Sequence, residues 1–176
     1  MIRRFSACSF LIFVAAVVSF ARTDDTKEKA KPEAAKFEMT KDEQTLLDLL
    51  NKERVQKDLP ALRPQPLLFK AARGHSTNMS KQRKMEHVLD GKTPGQRVLA
   101  AGYDYGKVSE NIAESEGGKV PLAVIVKDWM ESKSHRENLL SDKVTETGLG
   151  IAKNDKGEVY YTQVFARPRK IIKRRN

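Results

Sequence analysis

The feature that most constrains this chain is a change of hydrophobic period along it, from steps of three and four to strict alternation. Thr40 and Glu43 form a capping box, and Leu46, Leu47 and Leu50 follow at helical spacing until Pro60, which predicts a helix over 41–57. Leu68, Ala72, His75 and Met79 recur at steps of four, three and four, which predicts a second helix over 66–83. His75 falls on its inner stripe, where the expected role is a core histidine whose ring nitrogens are satisfied by neighbours. Asp90-Gly91 and Pro94-Gly95 mark turns, and Gly102 and Gly106 punctuate a loop before Glu110. Pro121 suits the first turn of a third helix with Leu122, Ile125, Val126 and Trp129 on its apolar face. Ser134 with Glu137 predicts a second capping box opening a short helix over 135–140. The period then switches. Leu149 and Ile151 alternate with Gly150 and Ala152, a turn follows at 154–157, and Val159, Tyr161, Gln163 and Phe165 alternate with their neighbours, which is a hairpin. Helices followed by antiparallel strands imply an α+β fold rather than a parallel doubly wound sheet.

The two ends differ in composition from this region. Residues 1–21 carry Arg3 and Arg4, an apolar run over 10–20 and small residues before Arg22, the pattern of a cleaved signal peptide; the run is well short of the roughly 20 residues of a membrane span. The only cysteine, Cys8, lies in this segment, so processing would leave no disulfide, thiolate ligand or cysteine nucleophile. Secretion, or residence in the periplasm or cell envelope of a bacterium-like cell, is the expected location. Residues 22–39 balance five basic against five acidic residues with little to bury, and are expected to be a disordered charged linker. Residues 167–176 form a basic tail with Arg167, Arg169, Lys170, Lys173, Arg174, Arg175 and no acid, an expected contact for anionic envelope surfaces. Losing residues 1–21 takes the formal charge of +10 to +8, and setting the tail apart leaves only +2 on the domain at 40–166. Nucleic acid is not an expected partner, because export removes it from reach.

Within that domain, three distant stretches supply His87, Glu110 and His135, side chains that together can bind a metal or move a proton. Two imidazoles and a carboxylate also form a plausible zinc set with a fourth position for water. No His-Glu-x-x-His spacing supports such a site, and no Gly-x-Ser-x-Gly elbow is present. Ser132 and Ser134 are the nearby hydroxyls, with helix capping the simpler role for Ser134. Asn111 and Asn138 are expected to tie loop backbone together, Arg97 to be an ion-pair partner, and Trp129 to be core.

Met85-Glu86-His87, Ser109-Glu110-Asn111-Ile112, Trp129-Met130-Glu131-Ser132, the run from Ser134 to Leu140, and Tyr161-Thr162-Gln163-Val164-Phe165 occur in this order. Together they resemble the bacterial form of the CAP superfamily, which comprises cysteine-rich secretory proteins, antigen 5 and pathogenesis-related proteins and is also called the SCP domain. The resemblance implies a single-domain α-β-α sandwich with a central antiparallel sheet. It also implies a cleft that in eukaryotic members is lined by two histidines and two glutamates and is associated with metal. His87 and Glu110 match the first histidine and glutamate of that set; Ser132 and Tyr160 stand where the second glutamate and histidine would be. Bacterial relatives offer a serine-x-x-histidine segment instead, here Ser132 to His135. The implied function is a secreted binding module for a lipid, peptide or envelope component. A hydrolase of peptide or ester bonds and a structural envelope protein are the alternatives.

Overall fold

The computed structural model describes residues 37–170. The signal segment, most of the linker and the end of the basic tail therefore lie outside the described residues. Among those described, no helix is long and apolar enough to cross a membrane.

Local signals set the helices. The Thr40 hydroxyl accepts from the Glu43 amide at 3.2 Å and the Glu43 carboxylate accepts from the Thr40 amide at 2.8 Å, which starts α1 (Lys41–Val55). Pro66 occupies the first turn of α2 (Pro66–Gln82), where a missing amide hydrogen costs nothing, and the helix closes on Arg83 with a left-handed φ of 54°. Thr93 and Gln96 form a further capping box and open α3 (Pro94–Ala100) at the Pro94-Gly95 pair, where the sequence suggested only a turn. α4 (Leu122–Glu131) and α5 (Lys133–Leu139) meet at Ser132.

Here the structure corrects the expected second capping box. Ser132, not Ser134, is the N-cap of α5; it makes no side-chain capping bond, and its hydroxyl lies 3.4 Å from that of Ser134. The corner is held instead by Arg136, whose Nη1 donates to the carbonyls of Met130 at 2.6 Å and Glu131 at 3.2 Å at the end of α4.

Four strands form one sheet: β1 (Arg63–Pro64), β2 (Tyr105–Ser115), β3 (Glu146–Lys153) and β4 (Val159–Pro168), in the order β1-β3-β4-β2. Every pairing is antiparallel except the short β1 edge, which runs parallel to β3. β2 replaces the loop expected before Glu110. It lacks apolar alternation because it is an edge strand whose residues serve polar partners.

Alternation along β4 separates two cores. Val159, Tyr161 and Phe165 join Leu46, Leu50, Ile125 and Trp129 in the layer built by α1 and α4. Val164 and Ala166 pack with Leu68, Ala72 and Val98 under α2 and α3. With helices on both faces, β4 is buried from Val159 to Ala166. The molecule is an α-β-α sandwich.

Packing and strand pairing continue past residues 40–166 at both ends. Phe37 and Met39, placed in the linker by composition, pack on the α1–α4 core; the Phe37 ring meets Phe69 edge-on at 5.0 Å, with the Arg73 guanidinium 5.5 Å from both rings. Charge balance hid two apolar anchors in a short stretch. At the other end β4 continues through Arg167 and Pro168, which pair with Lys107 and Tyr105, and Arg169 Nε donates to Asp104 at 2.9 Å. The first three residues assigned to the tail thus extend the sheet or pair at its edge.

Candidate functional site

The site gathers along the open edge of β2. Side chains alternate across a strand, so neighbours in the Ser109–Ile112 run point to opposite layers. Glu110, opposite Val164 in register, faces α2 and α3. Asn111, opposite Gln163, faces α5: its Nδ2 donates to the His135 carbonyl at 2.9 Å, while its Oδ1 accepts from Asn138 at 2.9 Å. The outer backbone of this edge is covered by side chains. Trp129 Nε1 donates to the Ile112 carbonyl at 3.1 Å and Asn138 Nδ2 to the Glu110 carbonyl at 3.3 Å, which blunts the edge against pairing with another strand.

Glu110 is the buried centre, its side chain 1% exposed. Arg97 Nη2 donates to both carboxylate oxygens, at 2.9 and 2.7 Å, and Arg97 Nη1 donates to the carbonyls of His87 at 3.0 Å and Lys92 at 2.7 Å. One guanidinium thereby fastens the 87–92 loop to β2. His87 Nδ1 lies 2.9 Å from Glu110 Oε1, so it carries the hydrogen toward the carboxylate, and the half-exposed ring presents Nε2 outward when neutral.

His135 sits in α5, partly buried, in a hollow of about 260 Å³ that it shares with Met85, Ile112, Trp129 and Ser132. Burial first, and then the nearby His87 charge, push its pKa below the ordinary histidine value. Among the described residues no hydrogen bond joins the His135 ring to His87 or Glu110. The structure thus brings His87 onto Glu110 and places His135 within electrostatic reach of His87. Tyr160 is buried with Met79, Leu89 and Ile112, its hydroxyl donating to Glu158 at 3.2 Å.

These residues do not fit the zinc set that their types suggested. Among the described residues no group of three or more His, Cys, Asp or Glu side chains is placed to hold a metal ion. The physical reason is Arg97: a carboxylate already spanned by a guanidinium offers little to a cation, and the same positive charge repels one.

His75 is the member that sequence reasoning left out of the site. It is 1% exposed and its Nε2 lies 3.7 Å from Glu110 Oε1, but neither ring nitrogen has a hydrogen-bond partner among the described residues, contrary to the expected satisfied core histidine. Its helical position showed burial; only the packing of α2 over β2 shows what it faces. Burial lowers its pKa from the ordinary histidine value, countered in part by the Glu110 charge and the nearby Glu86 backbone and reinforced by Arg97 and His87. The unfolded chain therefore takes up this proton more readily. The stability contributed by a neutral His75 is complete above about pH 6.5 and is lost progressively as pH falls below it. A melting temperature that declines from pH 7 to pH 5, with a shallower decline in His75→Gln, is the expected result; identical slopes in the two proteins would contradict it.

The α-β-α sandwich places the chain in a known class of protein. The chain belongs to the cysteine-rich secretory protein (CAP) family, whose model matches residues 47–165. It is 33% identical over 124 residues to YkwD of Bacillus subtilis, covering 70% of this chain and 46% of that protein. An extracellular protein containing an SCP domain from Bacillus anthracis matches with a TM-score of 0.62 at 31% identity, over 72% of this chain and 40% of that one. An outer surface protein of Borrelia burgdorferi shares the fold, with a TM-score of 0.69 at 22% identity, over 76% of this chain and 97% of that one. The chain spans less than half the length of the curated relatives it matches, 46% of YkwD and 39% of YlbC, an uncharacterised membrane protein of Bacillus subtilis.

Proposed function

We propose that this protein is a binding module of the cell envelope or exterior, and that its ligand docks on the rim formed by His87 and His135. The observation that carries this reading is the internal use of Glu110: with its oxygens committed to Arg97 and His87, it orients an imidazole rather than receiving a ligand. The groups open to a ligand are the half-exposed His87 ring and, in the adjoining hollow, the partly buried His135 ring with an apolar lining that includes Met85, which is 42% exposed. Val88 is 48% exposed beside His87. Such a surface suits a ligand with a short apolar group next to a hydrogen-bonding one, as in an acyl lipid, a peptide side chain or a wall fragment. The secretory pattern of residues 1–21 and the extracellular Bacillus anthracis relative support an exported location.

Titration of the protein with palmitate, short apolar peptides and wall fragments tests this. His87→Ala and His135→Ala are expected to weaken the ligand that binds by about tenfold or more, each removing about 1.4 kcal/mol or more of contact energy. Binding unaffected by both substitutions would remove the rim from the proposal. Hydrolysis of an ester or peptide that disappears in His135→Ala would replace it with a catalytic reading.

A further inference from the structure

A second hollow, of about 410 Å³, lies between α2, α3 and the 89–92 loop. One face of α2 makes its wall: Lys70, Gly74, Thr77, Asn78 and Lys81 follow at the spacing of a single helix face. Gly74 is exposed on this wall, with open space where a Cβ would stand. Leu89, Ala71 and Ala101 add an apolar lining, and His75 stands in it with both ring nitrogens unpartnered.

The charge of this hollow is predominantly positive. Lys70, Lys81 and Lys92 line it, and none of them makes an ion pair among the described residues. Arg97 also lines it but is spent on Glu110 and two carbonyls. The opposing acid in the lining is Asp90, whose carboxylate already accepts from Asn78 Nδ2 at 2.9 Å and Gln82 Nε2 at 3.0 Å. With Arg97 balanced by Glu110, three lysines against the single Asp90 carboxylate leave the lining net positive, and a concavity focuses that potential. Ammonium groups bind phosphate as compact point charges, through charge rather than through the planar fork that arginine offers to carboxylate and phosphate alike. The volume is larger than a bare phosphate needs, and the apolar lining has room for an organic body.

We propose that this hollow binds an organic phosphate, its anionic group held by Lys70, Lys81 and Lys92 and its body resting on Ala71, Leu89 and Ala101. Phosphate of this kind reaches the site either as a soluble ester or as a phospholipid headgroup. The test titrates the full chain with sn-glycerol 3-phosphate, and separately with phosphatidylglycerol vesicles against phosphatidylcholine vesicles, following backbone amide shifts residue by residue. Saturable shifts are expected at Gly74, Asn78 and Lys92, with affinity at least tenfold weaker in the Lys70→Gln/Lys81→Gln/Lys92→Gln variant and unchanged in Lys153→Gln, an exposed lysine outside the hollow. Response to the soluble ester assigns the first source; response to phosphatidylglycerol vesicles alone assigns the second. Shifts confined to other residues, equal affinity in the triple variant, or no saturable response to either probe would overturn the proposal. The substituted lysines make no ion pairs among the described residues, so the variant is expected to fold, and an unchanged melting temperature confirms that it has.

Discussion

Arg97→Ala is expected to destabilise the protein by about 3–5 kcal/mol, the usual cost of leaving a buried charge without its partner. The Glu110 carboxylate is 1% exposed, and after the substitution it would keep His87 at 2.9 Å as its hydrogen-bond partner, with His75 Nε2 at 3.7 Å. The carbonyls of His87 and Lys92 lose their donor in the same step, so the 87–92 loop is released from β2. Two comparisons identify the cause. Arg97→Lys retains charge but not the fork, and is expected to recover less than half of the loss. In the background of Glu110→Gln, which removes the charge that needs neutralising, Arg97→Ala should cost markedly less, a coupling that chemical denaturation of the four proteins measures directly. Equal losses in both backgrounds would show that Arg97 acts through packing alone and that the clamp described above is incidental.

The same cluster explains which parts of the molecule could be read from its residues. Elements whose register depends on burial were legible: the α1, α2 and α4 stripes and the β3–β4 hairpin announce themselves because each has a continuous apolar face. β2 was not, although it carries the centre of the site. Its side chains answer to Arg97, His135 and Asn138, which are distant in sequence, so no local periodicity marks it. α3 was hidden for a related reason: with seven residues and two buried positions, it is defined by its Thr93–Gln96 cap rather than by a stripe. His87 and Glu110 were legible as residue types and as a family motif. Their direct contact was not, and neither was the role of His75, because both depend on how α2 lies across the sheet. The zinc set was legible only as residue types; Arg97, expected as an ion-pair partner, spans the Glu110 carboxylate from an element that the pattern did not reveal.

That placement of α2 rests on two glycines, and substituting either is expected to have the largest effect on folding of any single-methyl change. Gly148 and Gly150 lie on the face of β3 that α2 covers. A Cβ on Gly148 would overlap the backbone of Leu68 and Phe69, and one on Gly150 the backbone of Ala72 and Arg73. Helix backbone cannot rotate aside as a side chain does, so α2 would have to lift from the sheet, taking with it the Ser76 hydroxyl that donates to the Gly150 carbonyl at 2.9 Å. Gly148→Ala and Gly150→Ala are each expected to cost about 3 kcal/mol or more, at or beyond the upper end for overpacking because the obstacle is main chain. Gly74→Ala supplies the opposite sign on the same helix. It is exposed, in a helix interior, with nothing near its Cβ, so the methyl group should stabilise by about 0.5–1 kcal/mol by restricting the unfolded chain. Thermal unfolding of the three variants decides the matter. If Gly148→Ala and Gly150→Ala melt with the parent, α2 does not approach the sheet this closely, and the distance between His75 and Glu110 that depends on that approach fails with it.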